Sequence, residues 1–149
     1  MVKIENSYKK LSLLEIEKFE LKNRIIFPSK YKKFLLRTNG GSPKPHIFLI
    51  SNEQGESSIN GLFGIYTGEY EDIGTRMEVF DGRIPDGFLP IGDDPGGNLI
   101  CLGINEKYYD KIYFWDHEEE ADEPDMTNMY FLANDIDELF NKLYEDKEN

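Results

Sequence analysis

The chain is poor in the residues that build covalent and metal-centred chemistry. It has one cysteine, Cys101, among 149 residues. That excludes an intrachain disulfide framework and a cysteine-rich zinc site. Cys101 lies in the apolar run Leu99-Ile100-Cys101-Leu102, where burial disfavours the thiolate and leaves an inert thiol. There are two histidines, His46 and His117, and neither belongs to a spaced ligand motif. No run approaches the roughly 18 apolar residues of a membrane span. The start, Met-Val-Lys-Ile-Glu-Asn, has no apolar signal region. The expected compartment is the cytoplasm.

Positive charge is scarce where negative charge is dense. The net charge is −12, from 17 Lys/Arg and 29 Asp/Glu. Residues 1–60 hold 11 bases and 6 acids, a surplus of +5, whereas residues 61–149 hold 6 bases and 23 acids, a surplus of −17. Direct nucleic-acid binding needs a basic footprint and is disfavoured. An acidic surface keeps a protein soluble, and it also steers a basic protein partner. The core formers are sufficient: 39% of residues are apolar and 13% aromatic. A chain of this length fits one domain that buries roughly 68–70% of its unfolded surface.

Periodicity predicts a helix over Ser12–Lys22, with Ser12 and Glu15 at capping-box spacing and Leu13, Ile16 and Phe19 on its apolar side. A second helix follows Pro28, with Ser29 as its cap and Tyr31, Phe34 and Leu35 at helical spacing. Asn39-Gly40-Gly41 stops it, since these residues tolerate a left-handed backbone. His46–Ile50 reads as a strand, Asn52–Asn60 as a polar loop, Leu62–Tyr66 as a short strand and Glu71–Phe80 as a helix. Then come strands at Phe88–Gly92, Leu99–Ile104 and Lys111–Asp116, a short one at Met129–Leu132, and a last helix capped by Asn134 or Asp135. Glu145–Asn149 is expected to fray. Short polar connections favour antiparallel pairing. The fold class is therefore α+β: a single domain with a mixed, largely antiparallel sheet and helices from both ends of the chain packed against it.

Two segments invite a chemical reading. Asp93-Asp94-Pro95-Gly96-Gly97-Asn98 looks like a phosphate loop but lacks the Lys-Ser/Thr pair, and its carboxylates repel phosphate. It reads better as a turn, with Gly96, Gly97 and Asn98 supplying positive φ and an aspartate bonding the turn backbone. Residues 116–125 carry seven acids and no Lys or Arg. They lack the alternating ligand spacing of a calcium loop, so a solvated loop or a surface for a basic protein is expected, with no metal and no cofactor. Alternation along Lys111–Asp116 places Ile112, Phe114 and Asp116 on one side and Tyr113 and Trp115 on the other. Both sides are apolar, so the sheet is covered on both faces or one face recognises a partner. No acid, base and nucleophile set emerges, so no catalytic residue is named.

Spread over most of the chain is a pattern that resembles the SUKH superfamily of Smi/Knr-type domains. Its pieces are Phe27-Pro28 before Tyr31-Lys-Lys-Phe34-Leu35, Asn39-Gly40-Gly41, Leu62-Phe63, Pro85-Asp-Gly87, Leu89-Pro-Ile-Gly-Asp-Asp94, Gly96-Gly-Asn98, Ile100-Cys-Leu-Gly103 and Ile112-Tyr-Phe-Trp-Asp-His-Glu118, followed by the closing amphipathic helix. Pro43–Asn60 matches no part of the pattern. The resemblance implies an α+β fold. In bacteria it implies an immunity protein that neutralises a toxin domain, often a nuclease, by stoichiometric binding; similar fungal domains sit in regulators of cell-wall synthesis. The expected partner is a cognate toxin with a basic surface. The expected contacts are Asp93, Asp94, Trp115, Asp116, Glu118, Glu119 and Glu120, with Trp115 as apolar anchor and the carboxylates steering. The alternative is a module holding a peptide or small ligand in a cleft beside Gly40-Gly41 and the 93–98 turn.

Overall fold

The centre of the molecule is set by Leu99–Leu102, whose four consecutive apolar side chains need cover on both faces of a sheet. In a computed structural model describing residues 2–146, this run forms strand β7 (Leu99–Gly103), buried throughout. It is the middle strand of a five-stranded antiparallel sheet ordered β5 (Gly61–Leu62), β6 (Phe88–Asp93), β7, β8 (Ile112–Trp115) and β9 (Met129–Ala133). The register aligns Asp93, Leu99, Trp115 and Met129 across four neighbouring strands. The turn between β6 and β7 and the connection between β8 and β9 therefore leave the sheet at the same end.

Two smaller antiparallel pairs complete the β structure: β1 (Lys3–Glu5) with β2 (Ser42–Lys44), and β3 (Ile47–Ser51) with β4 (Gly55–Ser58). The expected loop at Asn52–Asn60 is corrected here. Its residues 55–58 are too polar to read as a strand, but they pair along β3, with Leu49 opposite Glu56. The β3–β4 hairpin lays Phe48 on Phe114, ring centroids 5.8 Å apart. Phe80 meets Trp115 edge to face at 5.6 Å. Ile112, Phe114 and Trp115 are all buried, so the sheet is covered on both faces at β8.

Among the described residues four α-helices frame the sheet: α1 (Leu13–Asn23), α2 (Ser29–Arg37), α3 (Ile73–Val79) and α4 (Ile136–Lys142). Ser12 and Glu15 form the complete capping box on α1. The expected cap of α2 is corrected: Ser29 is already inside the helix, Pro28 occupies the cap position, and no side chain bonds there. Asp135 caps α4 by accepting from the Glu138 N–H, and it also pairs with Lys30 of α2 at 2.8 Å. The apolar residues close into one buried cluster drawn from the four helices, the five-stranded sheet and Phe48 of β3. Tyr144 continues beyond α4 as a bridge to Ile47; residues 147–149 of the expected frayed end lie outside the described residues.

The stop after α2 also differs in mechanism from the expectation. Thr38 ends the helix extended, and the left-handed residues are Gly40 and Gly41, at φ 67° and 123°. Asn39 instead buries its amide. It donates to the carbonyls of Lys9 and Ile65 and accepts from the Ile65 N–H, tying the N-terminal segment to the chain after β5.

Candidate partner-docking surface

Glycines and short polar side chains leave the backbone of residues 94–98 with donors that need acceptors. Asp94 supplies them and is only 6% exposed. One carboxylate oxygen accepts from the N–H groups of Gly96 and Asn98 at 2.9 and 2.8 Å. The other accepts from the Asn98 amide and the Ser57 hydroxyl at 3.0 and 2.8 Å. In this turn only Gly97 has positive φ, at 87°; Gly96 and Asn98 do not. The expectation that Asp94 contacts a partner is corrected: its carboxylate is consumed by its own turn.

The turn is stitched to the start of the acidic run. Asn98 Oδ1 accepts from the His117 N–H at 3.0 Å. His117 Nε2 lies 2.9 Å from the Gly96 carbonyl oxygen, which can only accept, so the ring carries its proton there. Asp116 caps a single 3₁₀ turn (His117–Glu119) by accepting from the Glu118 N–H. The buried Asn128 braces it, donating from its amide to the Asp116 carbonyl.

Trp115 is corrected as an anchor. It is fully buried, and its indole N–H has no hydrogen-bond partner among the described residues. Alternation places it opposite Phe114 on the strand, but the α3 end covers that face too. Arg83 closes over it, with its guanidinium 5.4 Å from the indole centroid and 4.9 Å from that of Phe80. The same guanidinium donates twice to Glu120, at 3.1 and 3.0 Å. This pair holds the Glu120 carboxyl below its ordinary range.

The remaining expected contacts divide by partner. Asp93 is half-buried and lies 3.6 Å from Arg76. Burial raises its carboxyl, with the Asn60 amide and Arg76 opposing. Arg76 is itself buried, its guanidinium 4.0 Å from the Tyr70 ring centroid and 4.4 Å from that of Phe63. Glu119 accepts from the Tyr130 hydroxyl, which raises that phenol to about 12. Among the described residues, the carboxylates of Glu118, Asp122 and Glu123 are exposed and make no ion pair or hydrogen bond. They are the free charge of this end of the sheet. Asp125 accepts from Thr127. No group of three or more His, Cys, Asp or Glu residues placed to hold a metal occurs among the described residues.

Sequence reasoning missed Arg76, Arg83 and Asn128. A signal existed for the two arginines: residues 61–149 contain only six bases among 23 acids, and each lone base there is a candidate partner for a named carboxylate. Of the expected cleft, the part beside the 93–98 turn is an open pocket of about 420 Å³ lined by Ser57, Asp94, Pro95 and Gly96 among others, and the part beside Gly40-Gly41 is closed. A Cβ at Gly40 would meet the Leu62 carbonyl at 2.7 Å, and one at Gly41 the Glu5 carbonyl at 2.7 Å, so backbone fills that space.

A family model, SUKH_6, described as SMI1-KNR4 cell-wall, matches residues 13–143. The chain belongs to the SMI1-KNR4 family. The family includes immunity proteins. The chain is also similar to the SPbeta prophage-derived uncharacterized protein YokK of Bacillus subtilis (strain 168), at 30% identity over 81 residues. That match covers 54% of this chain and 38% of the relative's length. No solved structure matches the chain. In this SMI1-KNR4 chain the family match takes in α1 through α4, and with them the 93–98 turn and the acidic run. No helix among the described residues is long and apolar enough to cross a membrane.

Proposed function

We propose that the chain is an immunity protein that binds a cognate bacterial toxin one-to-one and blocks it sterically and electrostatically, with no catalysis of its own. The observation that carries this reading is the row of carboxylates Glu118, Asp122 and Glu123, exposed at the sheet end and unpaired among the described residues. Membership of a family that includes immunity proteins supports it. The toxin's surface is basic, as in a nuclease whose active site attracts phosphate, and the acidic run competes with that phosphate. The inhibitor works in the cytoplasm, where such a nuclease acts.

The test is protection of cells expressing the toxin domain encoded beside this chain, paired with calorimetry of the two purified proteins. One-to-one binding and rescue are expected. Glu118→Lys, Asp122→Lys and Glu123→Lys together should slow association about tenfold at low salt and flatten its salt dependence. Absence of both binding and rescue removes the immunity reading; unchanged association kinetics removes the acidic run from it.

A further inference from the structure

A groove of about 820 Å³ opens between the end of α1, the 66–69 loop and α3, away from the stitched turns. Phe19, Tyr66 and Met77 supply the apolar part of its lining. Phe19 is buried, while Tyr66 stands edge-on to it at 5.9 Å with 48% of its surface exposed. Its rim carries Glu69, Glu78 and Asp81, all exposed and without a side-chain partner among the described residues. One base, Lys22, borders it. Asp81 lies two residues before Arg83, whose bond to Glu120 joins this face to the acidic run.

We infer that this groove is the seat for an arginine-bearing segment of a protein partner. Three carboxylates repel phosphate, so a nucleotide or nucleic acid is a poor occupant. An apolar lining with an acidic rim suits a side chain with an aliphatic stem and a cationic head. Arginine fits best, because its planar guanidinium stacks on the exposed face of Tyr66 while its fork of donors reaches the rim carboxylates. The volume exceeds the needs of one side chain, so the groove takes a short basic segment. This assignment rests on the reading of the chain as a protein-binding inhibitor, and it adds the place where the partner is gripped.

The full chain is titrated with a hexa-arginine peptide at about 0.15 M salt, where exposed charges more than about 8 Å apart are screened. Binding is read by calorimetry and by amide NMR shifts. Shifts are expected at Gly68, Gly74 and Thr75. Tyr66 sits at φ 55°, a conformation asparagine tolerates, so Tyr66→Asn removes the ring and keeps the backbone. That variant should bind about tenfold more weakly, Tyr66→Phe should bind like the parent, and Lys22→Glu more tightly. Neutralising Glu118, Asp122 and Glu123 to their amides should leave the groove shifts in place. Shifts confined to residues 116–125, or unchanged affinity in Tyr66→Asn, overturn the assignment. So does a dimer of the unliganded parent that Tyr66→Asn dissolves, since a second copy would then be the occupant. If a cognate toxin binds parent and Tyr66→Asn equally, the groove falls and the immunity reading stands. If the neighbouring toxin does not bind but hexa-arginine seats in the groove, the reverse holds.

Discussion

The 93–98 turn and the 116–125 run lie side by side at one end of the sheet, and both are acidic. They use that charge in opposite ways. In the turn, Asp94 accepts four hydrogen bonds and is buried, and Asp93 faces Arg76. In the run, Glu118, Asp122 and Glu123 are exposed and accept no hydrogen bond among the described residues. The difference is one of donors. The backbone N–H groups of Gly96 and Asn98, the Asn98 amide and the Ser57 hydroxyl surround Asp94, whereas the run after Glu120 offers few donors of its own. The number of carboxylates counted along a sequence therefore overstates how many have oxygens free to meet a partner. Steering is reduced only where a cation offsets the charge, as Arg76 does beside Asp93 and Arg83 beside Glu120.

Replacing the turn's carboxylate should have the largest effect. Asp94→Ala leaves the part-buried N–H groups of Gly96 and Asn98 and the Asn98 amide without their acceptor, and a loss of about 1–3 kcal/mol is expected in urea unfolding. A loss below about 0.5 kcal/mol would place Asp94 with the free acids and dissolve the contrast. Arg83→Ala comes next. It removes a partly exposed ion pair and the cation over Phe80 and Trp115, for about 1 kcal/mol. Because Trp115 is the sole tryptophan, its emission should shift to the red as the cover is lost; an unmoved spectrum would mean that Arg83 does not seal it.

Acid titration separates two members of the same surface. Glu120 is held below its ordinary value of 4.5 by Arg83. Its contribution is full above that value and disappears as pH falls through the lower folded value. Asp93 behaves in the opposite sense. Burial raises it above 3.8, so the folded chain keeps its proton longer and loses stability as pH rises through the folded value. Asp93→Asn should therefore gain on the parent as pH increases from about 3 to about 6, and Glu120→Gln should lose on it. Parallel unfolding curves for all three proteins would refute the pairing. The smallest effect belongs to the free acids: Glu118→Gln, Asp122→Asn and Glu123→Gln together should change stability by less than about 0.5 kcal/mol. A larger loss would show that the run is braced internally after all.

The central sheet was legible because its signals are local. Leu99–Leu102 is apolar without a break, Ser12 and Glu15 sit at cap spacing, and Asp135 precedes an apolar helical period. What was hidden depends on residues far apart in the chain. Gly55–Ser58 becomes a strand only because Ile47–Ser51 lies beside it. Trp115 looks like a surface anchor because acids follow it, yet Phe80 and Arg83, more than thirty positions earlier, cover it. Asn39 reads as a helix stop, but its amide is claimed by Lys9 and Ile65. The surroundings of the expected contact residues were hidden for the same reason: the carboxylates could be seen, and the donors that occupy some of them could not.

The lone thiol has a use beyond packing. Cys101 is fully buried at the middle of the central strand, and burial pushes its thiol upward. A thiol reagent in excess would therefore label the chain only as fast as the sheet itself comes apart. The labelling rate becomes a clock for global opening, and the slowing of that clock by a bound partner measures the binding energy without any added probe.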